Sequence, residues 1–421
     1  MDRFVINGNG RLKGKVRISG AKNASLPLMA AALLSDGVST LANVPDVADI
    51  RYMAEVLRDL GASVSRDAEG PVRICVEDEA NSHAPYDRVR KMRASICVLG
   101  PLLAKRKRAR VAMPGGCAIG PRPVDLHLMG LRALGAEIEL DNGDIVATAK
   151  RLSGAEIFLG GPFGSTVLGT ANLMMAATLA EGRTVIESAA CEPEIQDLAE
   201  YLNAMGAQIT GAGSPRITIE GVGELRGADH AVIPDRIEAG TFLVAAALTN
   251  GEVTLENVRV DHMMCVVHTL RKIGVIVEPA DDGVVVSSAR RLEPIDVTTQ
   301  PYPGFPTDLQ AQIMTLLCLA DGNSVITDKV FPDRFMHVAE LLRMGARIRK
   351  EGPTAIVTGV KRLIGAPVMA SDLRASAALV LAGLIGRGTT TVQRVYHLDR
   401  GYEKLEVKLK ALGADIQRVS D

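Results

Sequence analysis

Six copies of one short phrase, their glycines 68 to 74 residues apart, run the length of this chain: LRDLGASV from Leu57, LRALGAEI from Leu131, LNAMGAQI from Leu202, LRKIGVIV from Leu270, LLRMGARI from Leu341 and LKALGADI from Leu409. Self-similarity of this regularity marks a repeat architecture, in which one supersecondary unit cannot bury its apolar face alone and must stack on its copies. Each phrase sets apolar residues at helical spacing, then a glycine (Gly61, Gly135, Gly206, Gly274, Gly345, Gly413), then residues that favour a strand. That order predicts a helix stopped by a left-handed glycine cap and feeding directly into a strand.

Upstream of most of these joints lies a Gly-led strand pattern: GVSTLANV from Gly37, GRTVIESA from Gly182, GEVTLENV from Gly251, GNSVITDKV from Gly322 and GTTTVQRV from Gly388. Before each unit's strand comes a second helix, rich in Ala and Leu, as in SLPLMAAALLSDG, ASICVLGPLLAKR, TANLMMAATLAEG, AGTFLVAAALTNG, AQIMTLLCLADG and ASAALVLAGLIGRG. A helix that is apolar all round belongs in an interior, and these stop short of the roughly 18 to 20 apolar residues that a membrane span needs. The expected arrangement is therefore helices inside and strands outside. FVINGNGRLKGKVRISGAKNAS from Phe4 echoes IVTGVKRLIGAPVMASDLRAS from Ile356, so the chain starts partway through a cycle. Because a single core stops growing beyond about 250 to 300 residues, three units per lobe is the natural division. The expected lobes are 22–233 and 1–21 plus 234–421.

The formal charge of −1, from 48 basic and 49 acidic residues, argues against a nucleic-acid partner. The one dense basic run, Lys105, Arg106, Lys107, Arg108 and Arg110, reads as a solvated surface. The first twenty residues are polar and Gly-rich, unlike a secretion signal, which points to the cytoplasm. Cys75, Cys97, Cys117, Cys191, Cys265 and Cys318 show neither CxxC pairing nor metal-ligand spacing, so no metal is expected. Cys97 and Cys318, inside apolar helices, read as core thiols.

Equivalent turns of equivalent units can be compared within this one sequence. At the starts of the apolar helices stand Lys22 with Asn23, Arg93, Thr166, Asp235, Asp308 and Arg374; in the strand-to-helix loops stand Asp46, Cys117 with Arg122, Glu192 with Glu194, Asp261, Asp333 with Arg334, and Arg400. Asp, Thr and Asn there are natural helix caps, and Asp46 and Asp261 are read so; Asp308 is open between a cap and a functional carboxylate. Lys22, Arg93 and Arg400 fit capping poorly, because a cation opposes the positive end of the helix macrodipole. A bound anion reconciles them, since helix N-termini and guanidinium groups together make an oxyanion site.

The segment from Met113 to Pro123, MPGGCAIGPRP, reads as a flap with stiff ends that carries Cys117 and Arg122 at its centre. A Gly-rich loop gives a thiol no core to fill, and a neighbouring guanidinium lowers its pKa toward a range useful for proton transfer. No catalytic triad can be assembled from the seven histidines; His127, His262, His268 and His337 are expected at surfaces or caps. No Walker or dinucleotide glycine motif is present, so no cofactor is expected.

PGGCAIGPRPVDLH, together with SGAKNASLPLMAA, PTDLQAQ, RFMH, DLRASAALVLAG and HLDRGYE, resembles the UDP-N-acetylglucosamine enolpyruvyl transferases over nearly the whole length. A sister family, the 5-enolpyruvylshikimate-3-phosphate synthases, shares the six-unit fold but lacks the cysteine flap. The resemblance implies a two-lobed inside-out α/β barrel of six βαβαββ units, three per lobe, with a substrate cleft between the lobes. It implies transfer of the carboxyvinyl group of phosphoenolpyruvate to the 3-hydroxyl of UDP-N-acetylglucosamine by addition and elimination, with phosphate released, as the first committed step toward peptidoglycan. The implied partners are these two small molecules, with no nucleic acid and no membrane.

Matched position by position, the resemblance makes Cys117 the acid that protonates the methylene carbon of phosphoenolpyruvate and can hold it as a thioether. Lys22, Asn23, Arg122 and Arg400 become phosphoenolpyruvate ligands, with Lys22 and Arg400 also in the catalytic set. Asp308 becomes the acceptor of the sugar hydroxyl proton. Arg93, Arg122, Pro123, Val124, Asp125, Leu126, Ser165, Thr166, Asp308 and Val330 become nucleotide-sugar contacts, with Asn23 beside them, and Asp235, Asp372 and Arg374 lie near the reacting centre. Two stretches depart from the family pattern: FGSTVLGTAN from Phe163, and Pro332 with Asp333 in VFPDRFMH.

Overall fold

The computed structural model describes residues 2–420 other than 9, 69, 115–122 and 289–290. The two central residues of the expected flap, Cys117 and Arg122, lie outside the described residues. The chain divides into two compact units, one formed by described residues of 20–233 and the other by 1–19 and 234–421.

The first unit contains α1 (Lys22–Ala31), α2 (Ala48–Asp59), the short α3 (Tyr86–Val89), α4 (Leu99–Arg106), α5 (Asp125–Ala133), α6 (Val167–Ala177) and α7 (Pro193–Ala204). The second contains α8 (Arg236–Leu248), α9 (Met264–Ile273), α10 (Gln310–Leu317), α11 (His337–Arg343), α12 (Leu373–Ile385) and α13 (Leu405–Ala411). All six repeat glycines have positive φ, from +84° at Gly61 to +108° at Gly206. At four of them, Gly135, Gly206, Gly345 and Gly413, no atom lies closer than 3.7 Å to an added Cβ, so there the left-handed backbone, rather than lack of room, calls for glycine.

Among the described residues the strands form six four-stranded sheets of one pattern, each with one parallel and two antiparallel pairings, and one two-stranded parallel pair, Ser35–Asp36 with Leu225–Arg226. In the first unit Val38–Ala42 runs parallel to Asp229–Ala231 and antiparallel to Val72–Val76, which pairs with Ala62–Arg66. The sheets around Arg108–Ala112 and Arg183–Glu187 repeat this. In the second unit Lys13–Arg17 runs parallel to Glu252–Glu256, and Arg3–Asn7 is inserted between Thr389–Gln393 and Asp415–Val419, antiparallel to both. The N-terminal strands therefore complete modules whose helices come more than 200 residues later.

Each unit has its own apolar core, and the Ala- and Leu-rich helices lie in it. Eight of the ten residues of α1 are buried, and twelve of the thirteen of α8. Removing a Leu or Ile side chain from water contributes about 1.5 to 3 kcal/mol, so helices buried on every side are the main source of stability, and the sheets shield them. Helices lie inside and strands outside, as the repeat predicts, with three modules per unit, the inside-out α/β arrangement that the resemblance implies. Among the described residues no helix is long and apolar enough to cross a membrane.

One close approach is specific. A Cβ on Gly100 of α4 would come within 2.3 Å of the Asn172 carbonyl oxygen of α6. The Asn172 side chain accepts a hydrogen bond from the Gly100 amide (2.9 Å), donates to the Ile96 carbonyl (2.9 Å) and meets His127 Nδ1 at 3.0 Å. His127 is 3% exposed, and burial, helped by the Arg93 cation, lowers its pKa to about 3. His337 is likewise buried, with its pKa lowered to about 4, and His262 is buried as well. The expectation of surface or cap roles fails for these three; His268 is exposed. His127 shares the inward stripe of α5 with Gly130 and Leu131. Cys97 and Cys318 are core thiols, pushed up to about 12 by burial.

The basic run is also more structured than expected. Lys105 pairs with Asp36 at 2.9 Å, Arg106 donates to the Asn81 carbonyl, and Arg110 pairs with Asp144 and Asp141 at 2.6 and 3.1 Å. Lys107 and Arg108 remain exposed.

Candidate active site

In the first unit α1 begins at Lys22, behind an Ala21 that offers no capping side chain. The Lys22 ammonium lies 2.8 Å from Asp49, a carboxylate on α2 whose side chain is 1% exposed. This buried partner, absent from the sequence reading, holds the lysine at the opening turn of the helix, and Asn23 follows it there. Arg93 opens the 3-10 turn Arg93–Val98, with Nη2 3.4 Å from the carbonyl oxygen of Pro123. Pro123 and the buried Val124 lead into α5, whose first turn holds Asp125 and Leu126. Thr166 caps α6, its hydroxyl accepting from the Gly169 amide at 3.2 Å, and Ser165 precedes it half-buried.

In the second unit the acidic residues divide into caps and a charge cluster. Asp235 caps α8, accepting from the amides of Ile237 and Glu238 at 2.8 and 3.0 Å, and Asp372 caps α12 through the amides of Arg374 and Ala375. Asp308 does not cap. It sits in the 3-10 turn Thr307–Leu309 ahead of α10, and its carboxylate is gripped from both sides. Arg334 Nη1 reaches Oδ1 at 2.7 Å, while Arg374 places Nε and Nη2 3.1 and 3.0 Å from Oδ2. The two guanidinium charges overcome the opposing effect of burial and hold Asp308 far below the usual carboxylate range. Its side chain keeps 26% exposure while those of Arg334 and Arg374 have 8% and 2%. The accessible oxygen therefore belongs to the acid, backed by two buried cations.

Around this cluster Arg374 lies 5.3 Å from the Tyr402 ring centre, and Tyr402 shares a 2.8 Å hydrogen bond with Thr241. Gln312 ties the Asp308 carbonyl to Tyr402 and Thr241. Nη1 of Arg374 is buried without a hydrogen-bond partner among the described residues. The turn that carries Val330 is fixed by Asp328, fully buried, which accepts from Thr299, Thr307 and the amides of Val330 and Phe331. Arg400 ends the 3-10 turn Val395–Arg400. Burial lowers the pKa of the neighbouring His397, and the Arg400 charge lowers it further.

The structure brings together Asp308, Arg374 and, through Arg334 at 4.0 Å, Asp372. It corrects two expected caps. The cap position of α2 is Val47, and Asp46 pairs instead with Arg51; Asp261 lies in a 3-10 turn and pairs with Arg259. Sequence reading placed Arg334 in a loop without a role and passed over Asp49, Asp328 and Tyr402. Their signals were faint: a charged residue inside an otherwise apolar helical pattern for Asp49, and a carboxylate closing a strand for Asp328.

The match to the model of the EPSP synthase (3-phosphoshikimate 1-carboxyvinyltransferase) family covers residues 6–409. The UDP-N-acetylglucosamine 1-carboxyvinyltransferase of Methylacidiphilum infernorum is 54% identical over 419 residues, covering 100% of this chain and 99% of that protein. The one of Desulforapulum autotrophicum is 56% identical over 420 residues and covers both chains completely. Among solved structures, the enolpyruvyl transferase NikO from Streptomyces tendae matches with a TM-score of 0.91 at 26% identity, covering 100% of this chain and 99% of that one. The EPSP synthase of Acinetobacter baumannii, at 22% identity and a TM-score of 0.77 over both whole chains, shares the fold. Identity above half along the entire length, on this six-module fold, makes the chain a member of the UDP-N-acetylglucosamine 1-carboxyvinyltransferase family of enzymes.

Proposed function

We propose that this enzyme transfers the carboxyvinyl group of phosphoenolpyruvate to the 3-hydroxyl of UDP-N-acetylglucosamine and releases phosphate, in the cytoplasm, with these two small molecules as its partners. The observation that carries the reading is full-length identity above 50% with enzymes of that name, in a chain that keeps Lys22, Cys117, Asp308 and Arg400. In this reading Lys22, Asn23, Arg122 and Arg400 hold the phosphate and carboxylate of phosphoenolpyruvate. Arg93, Pro123, Val124, Asp125, Leu126, Ser165, Thr166 and Val330 hold the nucleotide sugar. Asp235, Asp372 and Arg374 line the reacting centre.

The chemistry follows from charge. The Cys117 thiol gives its proton to the methylene carbon, C2 becomes electron-poor, and the sugar oxygen adds to it. A carboxylate held as low as Asp308 is a weak base toward a free alcohol, so its first task is to accept a hydrogen bond and orient the hydroxyl. Once the C–O bond to C2 forms, the oxygen carries positive charge and its proton is strongly acidic; even a depressed carboxylate then takes it. Elimination reverses the first step: phosphate leaves C2, a proton leaves the methyl carbon to the Cys117 thiolate, and the vinyl double bond returns. Attack of the thiolate itself on C2 gives the thioether.

Incubation with both substrates tests the proposal. Inorganic phosphate should appear together with a product heavier than UDP-N-acetylglucosamine by one carboxyvinyl group in place of hydrogen, and shikimate 3-phosphate should not replace the nucleotide sugar. Phosphate release with shikimate 3-phosphate alone would assign the chain to the sister reaction instead.

A further inference from the structure

Arg400 is followed closely by an arrangement that the reaction as described does not use. Its chain neighbour Asp399 is gripped at both oxygens by Arg418, with Nη2 to Oδ1 at 2.5 Å and Nη1 to Oδ2 at 3.0 Å. Arg418 lies on the strand Asp415–Val419, directly across from Phe4 of the strand Arg3–Asn7. Its guanidinium carbon stands 5.0 Å from the ring centre of the fully buried Phe4. The remaining donors reach Glu406 in the first turn of α13 at 2.9 Å and Asp2 at 3.2 Å. One cation thus answers three carboxylates, and the Asp399 contact is the largest cause of its raised pKa.

We propose that Arg418 is a positioning residue for the phosphoenolpyruvate subsite, acting through Asp399 on Arg400. The inference rests on the reading of Arg400 as a phosphoenolpyruvate ligand. The planar fork fixes both oxygens of Asp399 and so orients the turn Val395–Arg400 that presents the Arg400 side chain. An isolated surface ion pair contributes little to stability, but this cation is 27% exposed, stacked on an aromatic face and shared among three acids, which holds it in one place.

The test is steady-state kinetics on the full chain for Arg418→Met, Arg418→Lys, Asp399→Asn and the double variant Arg418→Met/Asp399→Asn, with thermal melts alongside. Arg418→Met should raise KM for phosphoenolpyruvate by about tenfold while leaving KM for UDP-N-acetylglucosamine within about twofold, the size of one charge-assisted contact. Asp399→Asn should give a similar selective rise, and the double variant should be no worse than the more affected single one, because both changes break the same contact. A purely structural role predicts that both KM values move together, and independent roles predict that the two losses multiply in the double variant. Either result overturns the proposal, as does an unchanged KM for phosphoenolpyruvate in Arg418→Met. Should Arg418→Met not fold, Arg418→Lys decides: it keeps the charge but loses the fork, so a selective rise for phosphoenolpyruvate supports the assignment and no rise refutes it. Arg400→Lys serves as reference. If that variant leaves KM for phosphoenolpyruvate unchanged, the role of Arg400 itself is wrong, a failure distinct from that of Arg418.

Discussion

The two units are built from the same module three times over, yet the residues that open their buried helices differ in sign. In the first unit these are Lys22, Arg93 and Thr166; in the second they are Asp235, Asp308 and Asp372. A cation at a helix N-terminus adds to the positive end of the macrodipole, which favours an anionic partner there. The carboxylate that pairs with Lys22, Asp49, is buried and on another helix. In the second unit two of the three acids satisfy helix amides, and the third faces two arginines. On the proposed reading, the helix starts of the first unit contribute cations for the substrate anion, joined by Arg400 of the second unit, whose own helix starts present a restrained carboxylate; the difference lies in a few side chains at equivalent turns.

The largest effect expected is at Cys117. Cys117→Ala should abolish phosphate release while the affinity for UDP-N-acetylglucosamine falls little, because in the proposed mechanism the thiol gives a proton and does not hold the sugar. Cys117→Asp should keep measurable activity, since a carboxylic acid also donates a proton. Normal turnover by Cys117→Ala would remove the thiol from the mechanism.

Next comes Asp308→Asn. Loss of a positioned proton acceptor should lower kcat by about 10²- to 10⁴-fold. The same substitution leaves Arg334 and Arg374 buried without their shared anion, a change that costs about 3 to 5 kcal/mol when such a pair is broken. A lower melting temperature together with lost kcat is therefore expected, and a variant with unaltered stability would show that the cluster is not held by that carboxylate. In the first unit the corresponding change, Lys22→Met, should act on binding, raising KM for phosphoenolpyruvate by about tenfold or more. If Lys22→Met instead lowered kcat at unchanged KM, the contrast between a binding cation at one helix start and a reacting carboxylate at the other would collapse.

Much of this contrast was legible before any coordinates. The repeat gave the module count, the cap glycines and the buried helices, because 3.6-residue periodicity and the left-handed cap are local properties. Lys22 and Arg93 stood out since a cation at a helix start breaks a local rule. What stayed hidden was pairing. Asp308 meets Arg334 and Arg374 from positions 26 and 66 residues away, and only the stacking of modules decides which arginine reaches which acid. His127 takes neither the surface nor the cap role expected of it, although its spacing to Gly130, Leu131 and Leu134 puts it on the inward stripe of α5; a polar residue on that stripe needs an internal partner, and Asn172 supplies it. Asp46 and Asp261 were taken for caps on residue type alone, where neighbouring arginines offered a stronger partner.

The buried imidazoles set a pH signature common to both units. His127, in the first, and His337, in the second, are lowered to about 3 and about 4. Folded values below the unfolded one of about 6.5 mean that their contribution is fully present above that pH and is lost as pH falls toward the folded values; by pH 5 each loses roughly 2 kcal/mol. Asp308 adds nothing to this slope, because its carboxylate is ionised in both states down to the unfolded value of about 3.9 and its contribution is lost only below it. Denaturant melts at pH 7, 6 and 5 should show falling stability, and His127→Gln should flatten the decline. A flat profile for the parent enzyme would contradict neutral burial of both rings.

The smallest effect sharpens the comparison most directly, because it concerns what the units share. Gly206 in the first and Gly345 in the second close equivalent helices at φ of +108° and +87°, and an added Cβ meets nothing within 4 Å at the former and only Ile364 at 3.8 Å at the latter. With no clash at either place, the cost of alanine is the left-handed backbone alone, about 1 to 2 kcal/mol. Gly206→Ala and Gly345→Ala should therefore destabilise by similar amounts and leave KM for both substrates unchanged. Gly100→Ala, in contrast, forces α4 off the Asn172 carbonyl and should cost more than either. Equal and modest losses at the two repeat positions would mean that the modules are energetically interchangeable at their joints, so that the division of labour between the units resides in the polar residues at their helix starts; a large loss at only one would place part of it in the scaffold.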